Sequence, residues 1–277
     1  MLVNSVKMLA DAKANRYAVV AANYFDMLSA RTLVTAAEEC GSPLILAFAQ
    51  VHHDTGVLSL EEAAMIGKYY AEKASTPVVL HLDHGTDEAF IERAMALGFS
   101  SVMLDASMDP FEENVRRTRA VAADAHKRGL SVEAEIGHVG TGESYNGMND
   151  SDSVYTTVSD ARLFADQTGV DSLAISVGTA HGVYKNNVRP EIQFGLLHEI
   201  AAAVPIPLVL HGGSGTGDEN LSRCAHEGIS KINVFTDFLR GAMQKADAEA
   251  PTDYFALRTA AADGIRETLI HYIRLFS

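Results

Sequence analysis

Residues 77–98 read PVVLHLDHGTDEAFIERAMALG and contain a complete strand–loop–helix unit. The apolar run Pro77–Leu82 predicts a buried strand, and the apolar residues of Asp87–Leu97 recur with helical spacing. The helical pattern stops at Gly98, which suits the left-handed conformation that commonly ends a helix. The polar side chains between the two elements are therefore placed where a strand ends and a loop begins.

The same unit occurs eight times along the chain. The predicted strands are Tyr17–Ala21, Leu44–Phe48, Pro77–Leu82, Ser101–Leu104, Ser131–Ile136, Ser172–Val177, Pro207–Leu210 and Lys231–Val234. The segments with helical spacing are Ala30–Glu39, Leu60–Ala74, Asp87–Leu97, Phe111–Lys127, Ser159–Thr168, Phe194–Val204, Asp218–Glu227 and Phe238–Ala248. Eight such units, with strands apolar enough to be buried on both faces, predict an α/β fold of the (β/α)8 TIM-barrel type. An open doubly wound sheet uses the same units and is the alternative.

The chain shows no low-complexity linker and no shift in composition, so we expect one domain over residues 1–277. Thr252–Ser277 predicts an additional C-terminal helix that packs on the barrel or at a subunit contact. Gly137–Val158 is the longest connection without periodicity. Because connections of that length in compact domains are usually functional or disordered, we interpret it as a lid.

Composition excludes several classes of function. The 22 basic residues against 36 acidic ones give a formal charge of −14, which argues against non-specific nucleic-acid binding. No stretch approaches the ~18 apolar residues of a membrane span. Cys40 and Cys224 form neither a disulfide framework nor a CxxC pair, and residues 1–15 do not resemble a signal peptide. These features predict a cytoplasmic protein.

Histidines follow three of the predicted strands. His81 lies at the end of the third strand and His84 follows it, on either side of Asp83, while His181 follows the sixth strand and His211 follows the seventh. Because the carboxyl ends of parallel barrel strands meet on one face, three imidazoles can meet there around one metal ion. Catalytic zinc uses three protein ligands and an open position. Spacing alone leaves open whether His81 or His84 is the ligand.

Carboxylates and a lysine lie near the same strand ends. Asp83 is interpreted either as a group that orients a metal-bound imidazole or as the group that exchanges a proton with a substrate hydroxyl. Asp105 and Glu135 are candidates for supporting groups or for a second metal position. Lys231 would suggest a Schiff-base aldolase, but at the start of a strand we expect it to point toward the opposite end of the barrel.

Glycines cluster after the seventh strand, at positions 212, 213, 215 and 217, with Ser214 among them. A tight turn is the simpler interpretation of one glycine, whereas four within six residues favour an anion cradle. Loops after strands seven and eight of such barrels often bind phosphate through backbone amides. Gly182, Asn233 and Thr236 lie at neighbouring strand ends and are expected to complete this phosphate site.

These motifs together resemble the class II, zinc-dependent ketose-phosphate aldolases, the family of fructose- and tagatose-bisphosphate aldolases. The resemblance covers nearly the whole chain, from Ala22-Asn23 to residues 231–236. The motifs that carry it are H-x-D-H at 81–84, V-E-A-E-I-G at Val132–Gly137, G-T-A-H-G-V-Y at Gly178–Tyr184 and L-H-G-G-S-G at Leu210–Gly215.

The resemblance implies a role for each site residue. The implied zinc ligands are His84, His181 and His211, with Asp83 as the catalytic proton donor. Glu135 and Asp105 correspond to an alternative buried zinc position, and Glu143 to a loop glutamate that takes a proton from the C3 carbon. The implied substrate- and phosphate-binding residues are Asn23, Gly182, Gly212, Gly213, Ser214, Asn233 and Thr236.

The implied reaction is reversible aldol cleavage of a ketose 1-phosphate or 1,6-bisphosphate to dihydroxyacetone phosphate and an aldehyde. The implied cofactor is Zn²⁺, which another divalent metal could replace, and a monovalent cation near the phosphate also fits the resemblance. The expected partners are a small-molecule ketose phosphate and further copies of the chain in a homodimer or homotetramer. Nucleic acids and membranes are not expected partners.

Three departures from the family pattern concern the aldehyde side of the site. The loop at 140–145 reads GTGESY where the bisphosphate aldolases have a G-G-x-E-D type of loop. Phe235 replaces a small or acidic residue in the last motif, and AQVHH at 49–53 stands where small residues are usual. We therefore expect a site for dihydroxyacetone phosphate, with an aldehyde other than glyceraldehyde 3-phosphate, such as a sugar acid or an unphosphorylated aldehyde.

Two other classes compete with this interpretation. A non-catalytic sugar-phosphate sensor on the same barrel should have lost a zinc ligand or Asp83, and this chain keeps all four residues. A zinc hydrolase usually opens with an H-x-H pair on its first strand, and residues 17–26 contain no histidine. A zinc-dependent carbon–carbon lyase is the function that the sequence predicts.

Overall fold

A closed eight-stranded parallel barrel forms the centre of the molecule. The computed structural model describes residues 1–139, 155–180 and 190–277. The strands are β1 (Val19–Asn23), β2 (Leu44–Ala49), β3 (Val78–Gly85), β4 (Ser101–Leu104), β5 (Ser131–Ile136), β6 (Ser172–Ile175), β7 (Leu208–Leu210) and β8 (Ile229–Val234). They pair in chain order, and β8 pairs with β1 to close the barrel. The predicted (β/α)8 barrel is confirmed, and the open sheet is excluded.

Helices surround the barrel in the order that the sequence predicts. Those within the described residues are α1 (Ser5–Asn15), α2 (Met27–Glu39), α3 (Gln50–Asp54), α4 (Leu60–Lys73), α5 (Glu88–Leu97), α6 (Phe111–Lys127), α7 (Val158–Thr168), α8 (Phe194–Ala203), α9 (Asp218–Glu227), α10 (Thr236–Glu249) and α11 (Tyr254–Phe276). The predicted C-terminal helix is α11, whereas α1 and α3 were not predicted. No helix in the described ranges is both long and apolar enough to span a membrane.

The first strand starts later than predicted. Arg16 has a left-handed backbone (φ 56°) that ends α1, and the amide of Tyr17 donates to the carbonyl of Ala12. Tyr17 and Ala18 therefore connect the helix to the strand, and β1 begins at Val19. The predicted lid at 137–158 lies mostly outside the described residues, and the assignment of residues 1–277 to one domain stays a prediction.

Side-chain alternation divides each strand between two environments. On β3, Leu80 and Leu82 pack in the apolar layer between the sheet and the helices, whereas Val79, His81 and Asp83 point toward the barrel axis. The polar side chains that alternation places inside the barrel on other strands are Asn23, Ser101, Ser131, Glu133, Glu135, Ser172, Lys231 and Asn233. The interior of the barrel therefore contains many polar side chains.

The amino-terminal end of the barrel is closed by α1. Met8, Leu9 and Ala12 of this helix form a small buried cluster with inward-facing residues of β1, β2 and β3, including Ile45 and Val79. This apolar plug excludes water from one end of the barrel. Solvent therefore reaches the interior polar groups from the carboxyl ends of the strands.

Helices α10 and α11 cross at two glycines. A Cβ atom at Gly264 would overlap the carbonyl of Gly241 and would lie 2.8 Å from the amide nitrogen of Ala242. Because both obstacles are backbone atoms, we expect Gly264→Ala to lower the free energy of unfolding by about 1–3 kcal/mol, as overpacking typically does. Urea denaturation measures this change.

The matched control is Gly195→Ala, because Gly195 lies in α8 with nothing near an added Cβ. This substitution is expected to be neutral or to stabilise by up to about 1 kcal/mol through helix propensity. Equal effects of the two substitutions would contradict the close helix crossing.

Candidate functional site

A cavity opens at the carboxyl ends of the strands, where barrel enzymes have their active sites. Its volume is about 310 Å³. The predicted site residues that line it are Asn23, Asp83, His84, His211, Gly212, Gly213, Ser214, Asn233 and Thr236. The structure therefore brings these nine predicted residues to one place.

Asp83 is held at the base of the cavity by two asparagines. Asn23 Nδ2 donates to Oδ2 and Asn233 Nδ2 donates to Oδ1, both at 2.9 Å, and Asp83 is only 3% exposed. Burial opposes ionisation, but the neighbouring His84 and His211 hold the pKa of Asp83 well below its usual range. The site therefore contains a fixed carboxylate that is ionised at neutral pH.

His84 reaches the cavity because β3 is irregular at this point. The pairing of β3 with β4 shifts register between Leu82 and Gly85, and His84 has a left-handed backbone (φ 48°). His81 keeps the regular strand direction and points into the barrel interior, where its Nδ1 lies 2.8 Å from Ser101 Oγ. Of the two histidines that spacing left open, His84 is the one that lines the cavity.

Two imidazoles face each other across the cavity floor. His84 Nε2 lies 2.7 Å from His211 Nδ1, and the rings cross at 82°. The other nitrogen of each ring meets a carboxylate, because His84 Nδ1 lies 2.7 Å from Asp105 and His211 Nε2 lies 3.0 Å from Glu133. A carboxylate accepts hydrogen bonds only, so each ring turns its remaining nitrogen toward the other.

This donor set fits a divalent metal ion. Asp83, His84 and His211 offer ligand atoms within 4.8 Å of one another, and so do His84, Asp105 and Glu135. Glu135 Oε2 is buried and makes no hydrogen bond with the described residues. Burial and the charge of Asp105 raise the pKa of Glu135 to about 8. A cation near these groups would satisfy the orphaned oxygen, and imidazole with carboxylate is a ligand set that suits zinc.

Burial by itself would lower the pKa of His84. The charge of Asp83 and the hydrogen bond to Asp105 outweigh this effect and raise the pKa to about 10. Without a cation, His84 thus carries a proton between the two facing nitrogens. Metal binding at this point would release that proton, as is usual for histidine ligands.

The glycine-rich loop after β7 forms one wall of the cavity. Gly212 has a left-handed backbone (φ 69°), and a Cβ atom there would overlap the carbonyl of Ala180. Ser214 Oγ accepts from the amides of Phe235 at 3.2 Å and Asp237 at 3.3 Å, which ties the loop to the start of α10. This arrangement places a helix amino terminus beside a loop that only glycine can form.

A second wall of the cavity is aromatic. The His52 ring is 4.8 Å from the Phe235 ring and 6.0 Å from the Phe48 ring, and His52 is only 7% exposed. Burial lowers the pKa of His52, although the charge of Asp83 opposes this. His52 is therefore uncharged at neutral pH, and this wall presents a neutral surface to the cavity.

Some predicted residues are not tested by this geometry. His181, Gly182 and Glu143 lie outside the described residues. Asp105 and Glu135 lie beside His84 but do not line the cavity.

Sequence reasoning missed the group beneath the site, and the expectation for Lys231 is wrong. Because β8 begins at Ile229, Lys231 is the third residue of the strand and points into the barrel. Its Nζ lies 2.7 Å from both carboxylate oxygens of Glu133, which contacts His211. The two-residue spacings of Glu133 to Glu135 and of Lys231 to Asn233 are the signal that could have revealed these inward-facing groups.

Comparisons with known proteins agree with this architecture. Residues 3–277 match the family model of class II fructose-bisphosphate aldolase. The chain is 37% identical over 272 residues to a fructose-bisphosphate aldolase from Thermus caldophilus, covering 97% of this chain and 88% of that protein. It is 35% identical to the D-tagatose-1,6-bisphosphate aldolase subunit GatY from Klebsiella oxytoca, covering 98% of this chain and 96% of that protein.

A solved structure gives the same result. The YdjI aldolase from Escherichia coli K12 superposes with a TM-score of 0.88 at 32% identity, covering 100% of this chain and 98% of that one. The family match spans almost every residue and agrees with the barrel and with the cavity at its carboxyl end. The chain belongs to the class II fructose-bisphosphate aldolase family and is an aldolase, a carbon–carbon lyase that acts on sugar phosphates.

Proposed function

We propose that this protein cleaves a ketose 1-phosphate or 1,6-bisphosphate reversibly to dihydroxyacetone phosphate and an aldehyde, with zinc as its metal. The observation that carries this proposal is the position of Asp83. Its carboxylate is fixed by two amides beside a pair of facing imidazoles, in a cavity with a glycine-rich wall.

Asp83 is proposed to move the proton of the C4 hydroxyl. In the cleavage direction Asp83 accepts this proton, the C3–C4 bond breaks, and its electron pair moves toward the C2 carbonyl. In the condensation direction Asp83 returns the proton to the new alkoxide at C4. The donated hydrogen bonds from Asn23 and Asn233 keep the carboxylate oriented, so proton transfer needs little rearrangement.

The proposed metal ligands are His84, His211 and His181, the last by family resemblance. When bound there, a zinc ion would act as a Lewis acid that polarises the substrate carbonyl. Asp105 is proposed to orient His84 through its 2.7 Å contact, and with Glu135 it forms the proposed second metal position. Glu143 is proposed to exchange the proton at C3.

The substrate phosphate is proposed to bind the glycine-rich loop. Gly212, Gly213 and Ser214 line the cavity there, the amide of Gly213 donates to the carbonyl of Asn233, and α10 begins at Thr236 beside them. Helix amino termini and successive backbone amides attract anions even in an acidic protein. The proposed site also includes Gly182, Asn23, Asn233 and a monovalent cation. Because Asn23 and Asn233 also donate to Asp83, they would link phosphate binding to the catalytic carboxylate.

The aldehyde product is proposed to be unphosphorylated. Among the described residues that line the cavity there is no lysine or arginine, and Val51, His52 and Phe235 form an uncharged part of its lining. A neutral, partly aromatic wall suits the carbon chain of an uncharged aldehyde better than a second phosphate. This feature favours ketose 1-phosphates over 1,6-bisphosphates.

The experiment is a cleavage assay across matched substrates. Pairs of ketose 1-phosphates and their 1,6-bisphosphates are offered to the zinc-loaded protein, and dihydroxyacetone phosphate is the readout. We expect chelator to abolish release and zinc to restore it. We also expect kcat/KM to be at least about tenfold higher for the 1-phosphate of each pair, a difference of about 1.4 kcal/mol in transition-state binding.

The two parts of the proposal fail separately. Release that persists after complete metal removal would contradict the metal mechanism. Equal or better cleavage of the 1,6-bisphosphates would contradict the neutral aldehyde site but not the reaction. No release from any substrate by the zinc-bound protein would favour a binding role.

We also propose a homodimer or homotetramer in the cytoplasm. Tyr254 and Phe255 at the start of α11 are 68% and 78% exposed, which is a large apolar surface for a single chain to leave in water. Cys40 and Cys224 are both unpaired, as in proteins from reducing compartments.

A further inference from the structure

A buried ion pair lies directly beneath His211. Lys231 Nζ is 2.7 Å from each oxygen of Glu133, and Glu133 Oε1 is 3.0 Å from His211 Nε2. The three residues are 1%, 2% and 0% exposed. None of them except His211 lines the cavity, so Glu133 and Lys231 have no direct access to a substrate there.

The direction of the hydrogen bonds in this array is determined by charge. The ammonium of Lys231 lies 2.7 Å from both oxygens of Glu133, and this ion pair favours the carboxylate form, which can only accept hydrogen bonds. His211 must therefore donate its Nε2 proton to Glu133. The lone pair of His211 is then on Nδ1, the nitrogen that faces His84.

Lys231 holds the acceptor in place. Because its ammonium contacts both carboxylate oxygens, the plane of the Glu133 carboxylate is fixed, and Ser172 Oγ adds a third donor at 3.3 Å from Oε2. A buried ion pair costs desolvation free energy and is weak evidence for a role in stability alone. Because this ion pair lies beside Nε2 of His211, its effect on that imidazole is the better explanation for its presence.

We propose that Glu133 and Lys231 are positioning residues that fix the tautomer and orientation of His211 and thereby set the affinity of the site for zinc. This inference rests on the metal site proposed above and assigns no catalytic contact to either residue. Carboxylates that accept from metal-bound imidazoles are a general means of orienting a ligand, and their loss typically weakens metal binding by about 10–100-fold.

The first test is Glu133→Gln. The ammonium of Lys231 is the strongest donor nearby and takes the amide oxygen of the new side chain. The amide NH2 group then faces His211 Nε2, where two donors cannot pair. His211 is driven to the tautomer with its proton on Nδ1, which blocks the metal. We expect the zinc dissociation constant to rise by about 10–100-fold.

The second test is the double substitution Glu133→Gln with Lys231→Met. Without the ammonium, the amide oxygen is available to accept from His211 Nε2, and neither position 133 nor position 231 carries an unpaired charge. We expect zinc affinity to return to within about threefold of wild type, a strong non-additivity of the kind that contacting residues show. A merely structural role predicts no such recovery.

Two further variants keep the test decisive. Glu133→Asp retains the charge, and hence the pairing with Lys231, but its shorter side chain cannot reach His211, so we expect about tenfold weaker zinc binding in a folded protein. Ser101→Ala is the matched control, because it removes a buried hydrogen bond to His81 in the same interior layer without touching Glu133. It should leave the zinc dissociation constant within about twofold of wild type.

Zinc affinity is measured by competition with a chromophoric chelator, folding by circular dichroism, and ligand geometry by the visible spectrum of the cobalt-substituted protein. Weakened binding in Glu133→Gln with recovery in the double variant supports the inference. Unchanged affinity in folded Glu133→Gln or Glu133→Asp overturns it while leaving the metal site intact. Wild-type protein that binds no zinc overturns the metal site and this inference together.

Discussion

Replacement of Asp83 by alanine is expected to lower kcat for dihydroxyacetone phosphate release by about 10²–10⁴-fold, the usual contribution of general acid–base catalysis. Among the described residues that line the cavity, Asp83 is the one that carries a carboxylate. Its oxygens accept from Asn23 and Asn233, which hold the carboxylate in one orientation. The rate of product release at saturating substrate measures the effect, with bound zinc quantified in the same preparation.

The matched control is Asp87→Ala, four residues further along the chain. Asp87 caps α5 by accepting from the amide of Ala89 and does not line the cavity. Because the substitution removes a helix cap, it should lower the free energy of unfolding by about 1 kcal/mol. We expect kcat to stay within about twofold of wild type. If Asp83→Ala retained more than about a tenth of wild-type kcat, the assignment of Asp83 as the proton-transfer group would be wrong.

The barrel was predictable because strand and helix signals agree along the chain. Leu80 and Leu82 face the helices, Asp87 caps the next helix, and Gly98 ends it in the left-handed conformation. Eight repeats of this unit leave few other ways to bury the apolar faces. Local sequence patterns did not predict the parts of the structure that depend on contacts between residues distant in sequence. Helix α1 closes the barrel through apolar contacts with three strands, which no local pattern reveals.

The site was predictable in composition but not in contacts. Polar residues at strand ends converge because parallel strands share one direction. The choice of His84 over His81 depends on an irregularity of β3 that is visible only in its pairing with β4. The expectation for Lys231 failed because the strand starts at Ile229, two residues earlier than predicted, which places the ammonium beside Glu133.

The irregularity of β3 leads to a second prediction with a large effect. His84→Ala is expected to weaken zinc binding by more than the ~10–100-fold that loss of an outer-shell partner costs, because it removes a nitrogen that faces the metal position. His84 Nε2 is 2.7 Å from His211 Nδ1, so the two rings act on the same point. Competition with a chromophoric chelator measures the affinity.

His81→Gln is the matched control for His84→Ala. His81 lies on the same strand, is 1% exposed, and contacts Ser101 and Lys231 instead of the cavity. Burial and the neighbouring Lys231 lower its pKa to about 3, so it is a neutral interior group that a neutral amide can replace. We expect zinc affinity within about threefold of wild type for His81→Gln, because His81 contacts Ser101 and Lys231 and the substitution removes neither a proposed ligand nor the carboxylate beside one. If His81→Gln lost zinc and His84→Ala kept it, the metal position would lie inside the barrel, and the assignment that spacing left open would be decided the other way.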